Sequence, residues 1–348
     1  MASPGARLLE FHFSSLKLPE GARLTIRGEG EENYRVVESD EAINESVHSP
    51  FVAGDRATLE LFSPNGSRDA TALILASVTH GYRDLNRSES QSKSSACNID
   101  VACSEGNNWR DQIASVVLYT FKEDGSQYSC TATLLANTAD TKSLQLLTAR
   151  HCISNQTTAN SVVAYWNYQS TQCRASNANS EVDMDALGKT THAKAQTGGA
   201  EFLASKESTD FAFIKLKTAL PACVSPFFTG WNRDTNVPTK TVGIHHPSGH
   251  EKRIASDGDK PGIDAGDSYW KADWDKGTVQ EGSSGSGLWD QNRRLVDQLY
   301  GSTNSICHPV SYYGRLSKSW GGLSKSTRLK EWLDPNNTGE MVKNGYKW

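Results

Sequence analysis

The chain has 348 residues and a mass of 38.0 kDa, enough for two domains or for one large and one small. With 36% hydrophobic and 22% charged residues it has the balance of a soluble globular protein, neither disordered nor fibrous. Net charge is −4 with no basic block, so nucleic acid and anionic membrane are excluded as expected partners, and no apolar run approaches the ~20 residues that span a bilayer.

The opening Met1–Arg7 has no apolar core of a secretion signal, so no signal peptide is expected in this chain. Residues 1–85 contain no cysteine. Short alternating apolar segments recur there, at Leu8–Phe13, Leu24–Ile26, Tyr34–Val37, Thr58–Phe62 and Ala72–Thr79. Pro19-Glu20-Gly21, Gly28-Glu29-Gly30 and Pro64-Asn65-Gly66 punctuate them as turns. Period-two alternation between turns predicts a small β-sandwich-like unit. It is acidic: through residue 90 there are 14 Asp and Glu against 9 Lys and Arg. Residues 86–96 follow as a polar, serine-rich linker with nothing to bury, open to proteolysis.

From Cys97 to the end the strand pattern continues at Ala114–Phe121, Cys130–Leu135, Ser143–Leu147, Ser161–Tyr165, Phe211–Leu216, Lys240–Ile244 and Leu295–Leu299. Arg174–Ala200, rich in Ala, Asn, Ser and Gly, is expected to loop out between two halves. One helix is expected over Ser326–Leu333, stopped by Asp334-Pro335. So many short strands at turn-punctuated spacing predict an all-β unit over 97–348, with a β-barrel pair as its architecture.

All seven cysteines fall in this unit: Cys97, Cys103, Cys130, Cys152, Cys173, Cys223 and Cys307. None forms a Cys-x-x-Cys pair, and the spacings fit neither a zinc site nor a redox dithiol. Widely spaced cysteines read as structural disulfides, which persist outside the cytosol. A secreted, extracellular protein is expected, its leader absent from this sequence.

Three segments carry chemistry together. Leu147-Thr148-Ala149-Arg150-His151-Cys152 delivers a histidine at a strand end, and Thr209-Asp210-Phe211 sets an aspartate at the mouth of an apolar strand. Glu281-Gly282-Ser283-Ser284-Gly285-Ser286-Gly287 is a glycine-flanked serine loop. A serine hydroxyl needs a base to take its proton during attack, and histidine does so at neutral pH. A buried carboxylate fixes the imidazole tautomer and stabilises the imidazolium. Glycines let the loop turn so that the N–H groups of Gly282 and Ser284 face a developing oxyanion. Singly, these segments are a packed histidine, a strand cap and a flexible loop. In the order His, Asp, Ser within a cysteine-stapled all-β chain they predict a catalytic triad of His151, Asp210 and Ser284, with Ser283 and Ser286 as the next candidates for nucleophile. No metal and no cofactor are expected. The adjacent pair His245-His246 would point to opposite faces of a strand and is not expected to hold one ion. A non-catalytic binding protein on a protease scaffold is the alternative; an α/β lipase-type hydrolase would need the order Ser, Asp, His.

These motifs resemble the chymotrypsin-like proteases, and more narrowly the bacterial lysyl endopeptidases of the Achromobacter type. The likeness runs from Cys97 to about Gly339 and rests on Cys97-Asn98-Ile99-Asp100-Val101-Ala102-Cys103, Tyr165-Trp166-Asn167-Tyr168-Gln169, Ile244-His245-His246-Pro247, Glu251-Lys252-Arg253-Ile254 and Trp332-Leu333-Asp334-Pro335. It implies two six-stranded barrels with the active site between them and a polypeptide substrate. The protease-labile linker, and Cys97 lying close to where mature relatives begin, make the N-terminal unit an expected pro-domain that packs on or shields the protease before processing. The resemblance also implies disulfides Cys97–Cys307, Cys103–Cys173 and Cys130–Cys152, leaving Cys223 over as a buried thiol.

The resemblance weakens at the specificity pocket. Where the family has an aspartate that pairs with a substrate lysine, alignment back from Tyr313 places Ser311. Six residues before Ser284 stands Thr278, also neutral, and the histidine of the pocket wall is replaced by Tyr300, followed by Gly301 and Ser302. No Asp or Glu lies between Gln298 and Lys330, so an acid would have to come from Asp297 or Glu281. Strict cleavage after lysine is expected to be lost.

Overall fold

The structure is a computed structural model that describes residues 1–30, 34–39, 42, 46–64, 71–81, 97–174, 194–222, 224–264, 266–303 and 307–348. The linker 86–96, Cys223 and all but the ends of the Arg174–Ala200 stretch lie outside these residues. The described chain is mostly strand with a few short helices, an all-β protein.

The N-terminal residues form two small antiparallel sheets. Leu8–Lys17 pairs with Ala72–Gly81 and with the short segments Val47–His48 and Val52–Ala53. Arg23–Arg27 pairs with both Tyr34–Glu38 and Thr58–Phe62. Phe11, Phe13 and Leu16 from the first sheet meet Leu24, Ile26 and Val37 from the second in one buried cluster.

Besides a two-stranded sheet that pairs Phe227–Phe228 with Tyr346–Lys347, the larger part contains two large sheets. The first has seven strands in the order Lys194–Gln196, Val163–Trp166, Val116–Glu123, Ser126–Leu134, Gln145–Ala149, Phe211–Leu216 and Ala200–Lys206, each antiparallel to its neighbours. The second has ten strands, most of them short, centred on Thr241–His245, Gly287–Trp289, Leu295–Ser302 and Val310–Gly314. Each sheet has its own core: Tyr119, Leu134, Leu146, Ala164 and Ile214 in the first, Trp270, Trp274, Leu288, Leu299 and Tyr313 in the second. A third cluster, with Phe211, Phe213, Trp231, Ile244 and Trp289, joins them. The run Phe211–Leu216 reads almost wholly apolar because both its faces are buried: Ala212 and Ile214 face one core, Phe211 and Phe213 the other.

Disulfides join Cys97 to Cys307, Cys103 to Cys173 and Cys130 to Cys152, with Cα atoms 5.8, 4.5 and 6.6 Å apart. The segment that begins at Cys97 is further held by charge. Asp100 is buried and pairs with Arg174 and Arg253, while Arg174 and Arg253 both reach Glu251.

The helix expected over Ser326–Leu333 is two pieces. A 3₁₀ turn at Lys325–Thr327 is closed by a capping box with Ser324, Arg328 is extended at φ −153°, and a short α-helix follows at Lys330–Leu333. The capping serine and threonine satisfy the first turn locally, so nothing carries the helix through Arg328. No helix among the described residues is long and apolar enough to cross a membrane.

Candidate active site

His151 stands just after the strand Gln145–Ala149, and Asp210 just before its partner Phe211–Leu216; the pairing of Ala149 with Phe211 brings the two together. Asp210 Oδ2 lies 2.7 Å from His151 Nδ1, and Oδ1 accepts from the His151 backbone N–H at 3.0 Å. Asp210 is left-handed (φ 55°), and its carbonyl accepts from Arg150 N–H at 2.6 Å. Its side chain is 8% exposed and that of His151 42%, so a buried carboxylate supports a ring that faces solvent.

The serine loop is stitched to both sheets. Thr131 N–H donates to the Ser284 carbonyl and Thr131 Oγ1 donates to that of Gly282, both at 2.9 Å. Gly285 N–H donates to Leu299 O at 2.8 Å. Gly282 and Gly285 both have φ +81°, and a Cβ on Gly285 would lie 2.2 Å from Thr148 Oγ1. Only glycine permits that approach, which brings the loop against the strand that leads to His151. Ser283 and Ser286 are fully buried, whereas Ser284 is half-exposed. The N–H groups of Ser283, Gly285 and Ser286 all donate within the protein. Among the described residues, those of Gly282 and Ser284 donate to no protein group.

Of the expected pocket residues, Tyr300, Gly301, Ser302 and Ser311 lie on two strands of the second sheet and Thr278 in the segment between Tyr269–Asp273 and Gly287–Trp289. Thr278 and Ser311 are fully buried, and Ser311 Oγ accepts from Trp274 Nε1 at 2.8 Å. Ser311 pairs with Ser302, which is exposed, and Gly301 lies between Ser302 and Tyr300 on the same strand. Tyr300 stands edge-on to His151 at 6.1 Å and packs on Tyr269 at 5.3 Å. Neither alternative acid joins these residues. Glu281 is exposed. Asp297 is fully buried behind Asp210, where its Oδ2 accepts from Ser319 Oγ at 2.7 Å and Oδ1 from Gln298 N–H at 3.0 Å. Burial pushes its carboxyl up to about 8.

Several supporting residues escape sequence reasoning. Thr131 and Tyr269 carry no motif, and the network of Thr209, Gln298 and Ser319 around Asp210 joins three distant segments. His245 and His246 are both fully buried. His245 Nδ1 lies 2.8 Å from Ser283 Oγ, and His246 Nδ1 lies 2.9 Å from the His250 carbonyl. Among the described residues no group of three or more His, Cys, Asp or Glu side chains could hold a metal ion.

The structure thus pairs a buried carboxylate with a solvent-facing imidazole and sets beside their strands a partly exposed serine whose own N–H and that of Gly282 are unused among the described residues. Residues 91–314 match the family model described as lysyl endopeptidase, C-terminal domain. A lysyl endopeptidase of Pseudomonas aeruginosa is 30% identical, over 91% of this chain and 70% of its own length. The chain belongs to the lysyl endopeptidase family, and so to the serine endopeptidases. Among solved structures, a serine endoprotease from Yersinia pestis is 12% identical with a TM-score of 0.42, covering 62% of this chain and 64% of its own. The thermostable serine protease AL20 from an extremophilic microorganism is 15% identical with a TM-score of 0.40, covering 58% of this chain and 91% of its own.

Proposed function

We propose that this chain cleaves polypeptides through an acyl-enzyme on Ser284, in the cleft between two barrels of the six-stranded type, each built on one of the two larger sheets. His151 takes the serine proton during attack and returns it to the leaving amine, and Asp210 holds the ring and stabilises its charge. The backbone N–H groups of Gly282 and Ser284 receive the oxyanion. The observation that carries this reading is the pair of unused N–H groups flanking the one loop serine that is not buried. Neither N–H is spent inside the protein, so both remain available to an oxyanion.

Thr278, Ser311, Tyr300, Gly301 and Ser302 form the specificity pocket, and it offers no carboxylate. A substrate ammonium buried there without a partner costs several kcal/mol, against about 1.4 kcal/mol for each tenfold of preference. Strict lysine cleavage is therefore lost, and polar or aromatic side chains are accepted. The unit 1–85 is a pro-domain, 86–96 its processing linker and 97–348 the secreted protease.

Digestion of a denatured protein, with mass spectrometry of the new termini, tests this. Internal cuts after polar or aromatic residues are expected, and Ser284→Ala should make none. Cuts almost wholly after lysine would overturn the pocket assignment; no internal cuts would overturn the endopeptidase.

A further inference from the structure

The oxyanion loop is reached by two buried side chains that the proposed chemistry does not use. His245 closes the strand Thr241–His245, with its Nδ1 2.8 Å from Ser283 Oγ. That same Oγ accepts from Gln280 N–H at 3.2 Å. Burial lowers the His245 pKa to about 3, so the ring is neutral in ordinary buffers. Ser283 Oγ thus bonds both Gln280 N–H and His245 Nδ1, and one hydroxyl ties Gln280 and Ser283 to the strand end. From the opposite side Asn98 Nδ2 donates to Gln280 Oε1 at 2.7 Å, across 182 residues of sequence. Asn98 is itself fixed between the Cys97–Cys307 disulfide and the pairing of Ile99 and Asp100 with the strand Arg253–Asp257.

We propose that His245 and Asn98 are positioning residues for the oxyanion loop, holding Ser283 and Gln280 so that the N–H groups of Gly282 and Ser284 stay aimed at one point. This rests on the assignment of Ser284 and its oxyanion donors made above. Gly282, next to the nucleophile loop's serines, has the backbone freedom to turn elsewhere, and an oxyanion donor acts only while it is pre-aimed. A histidine that merely fills a core gap would affect stability and leave the transition state alone. His245 and Asn98 instead converge from separate segments on the residues just before the donors.

The test uses the full chain with Ser283→Ala, Asn98→Ala and the double variant, each normalised by titration with a fluorophosphonate. A peptide cleaved by the wild type gives kcat and KM; the matching peptide aldehyde, whose hemiacetal oxygen takes the oxyanion position, gives an inhibition constant. Each single variant should lower kcat about tenfold or more, less than the ~10²–10³ of losing a donor outright. KM should stay within about twofold, and aldehyde affinity should fall in step with kcat/KM. Gln280→Glu, which keeps an oxygen for Asn98, should recover most of the rate lost in Gln280→Ala. Wild-type kcat and aldehyde affinity in both single variants would overturn the proposal, as would a rate loss with unchanged aldehyde affinity. Ser284→Ala is measured alongside: turnover there would contradict the nucleophile itself, whereas an inactive Ser284→Ala beside fully active brace variants contradicts only the brace.

Discussion

Asp210 holds a backbone conformation that disfavours most residues. At φ 55° an aspartate is tolerated better than a branched or bulky side chain, and the Arg150 N–H and the Gln298 and Ser319 side chains around Thr209 over-determine the turn. Asp210→Asn keeps the shape but reverses the tautomer preference of His151, so kcat should drop by about 10⁴ with the fold intact by circular dichroism. A fall of less than tenfold would remove Asp210 from the triad. Asp297, next to it, makes a separate prediction. Its folded carboxyl is pushed up to about 8, while in the unfolded chain it ionises near the ordinary value of about 4. Between those values the folded state binds more protons, so stability falls as pH rises through that window and levels off above it. Asp297→Asn should remove this loss, and its stability advantage in urea unfolding should widen from pH 5 to pH 8; a constant gap would show that Asp297 does not hold a proton. The proposed triad residues stand out in the sequence because each lies at a strand end or in a glycine loop, where its residue type is unusual. Asp297 was legible only as a spare acid, since nothing local in Leu295–Leu299 announces full burial.

The serine loop and the histidine turn depend on neighbours that allow no extra atoms. Gly285→Ala would drive a Cβ into Thr148 Oγ1 and Thr131 O at a φ of +81°, so it should abolish turnover while the two sheets persist. Near-normal activity in that variant would mean the loop sits elsewhere. The Cys130–Cys152 bridge fixes the same turn from its other side, and removing it with paired alanines should cost about 2–5 kcal/mol and slow catalysis. An unchanged unfolding midpoint would contradict a structural role for it. Strands with clean alternation or two apolar faces were readable in advance, as at Thr58–Phe62 and Phe211–Leu216. Arg253–Asp257 was not, because Arg253 is buried against Asp100 and Glu251 and inverts the usual polar-out pattern. Tyr269–Asp273 was hidden likewise by Lys271 and Asp273 within its five residues.

At the scale of the whole molecule the first N-terminal sheet packs against the seven-stranded sheet. Leu8 and Phe51 pack with Leu118, Val163, Tyr165 and Tyr168, and buried Glu10 reaches across to Lys122 at 3.3 Å while also bonding His48 and Thr79. This contact cluster holds no residue of the candidate site. If the unit is a pro-domain, storage of the active protein should yield a stable product starting between Arg87 and Ala96, and protein substrate should be cut faster afterwards. A full-length chain that stays uncut and is already fully active would make it an accessory domain. The central claim, a serine endopeptidase acting through Ser284, is tested most directly by one labelling measurement. A fluorophosphonate should add once per chain, with peptide mass spectrometry placing the adduct on Ser284 and proteolysis lost in proportion. An adduct on another serine, or a fully labelled chain that still cleaves protein, would contradict it.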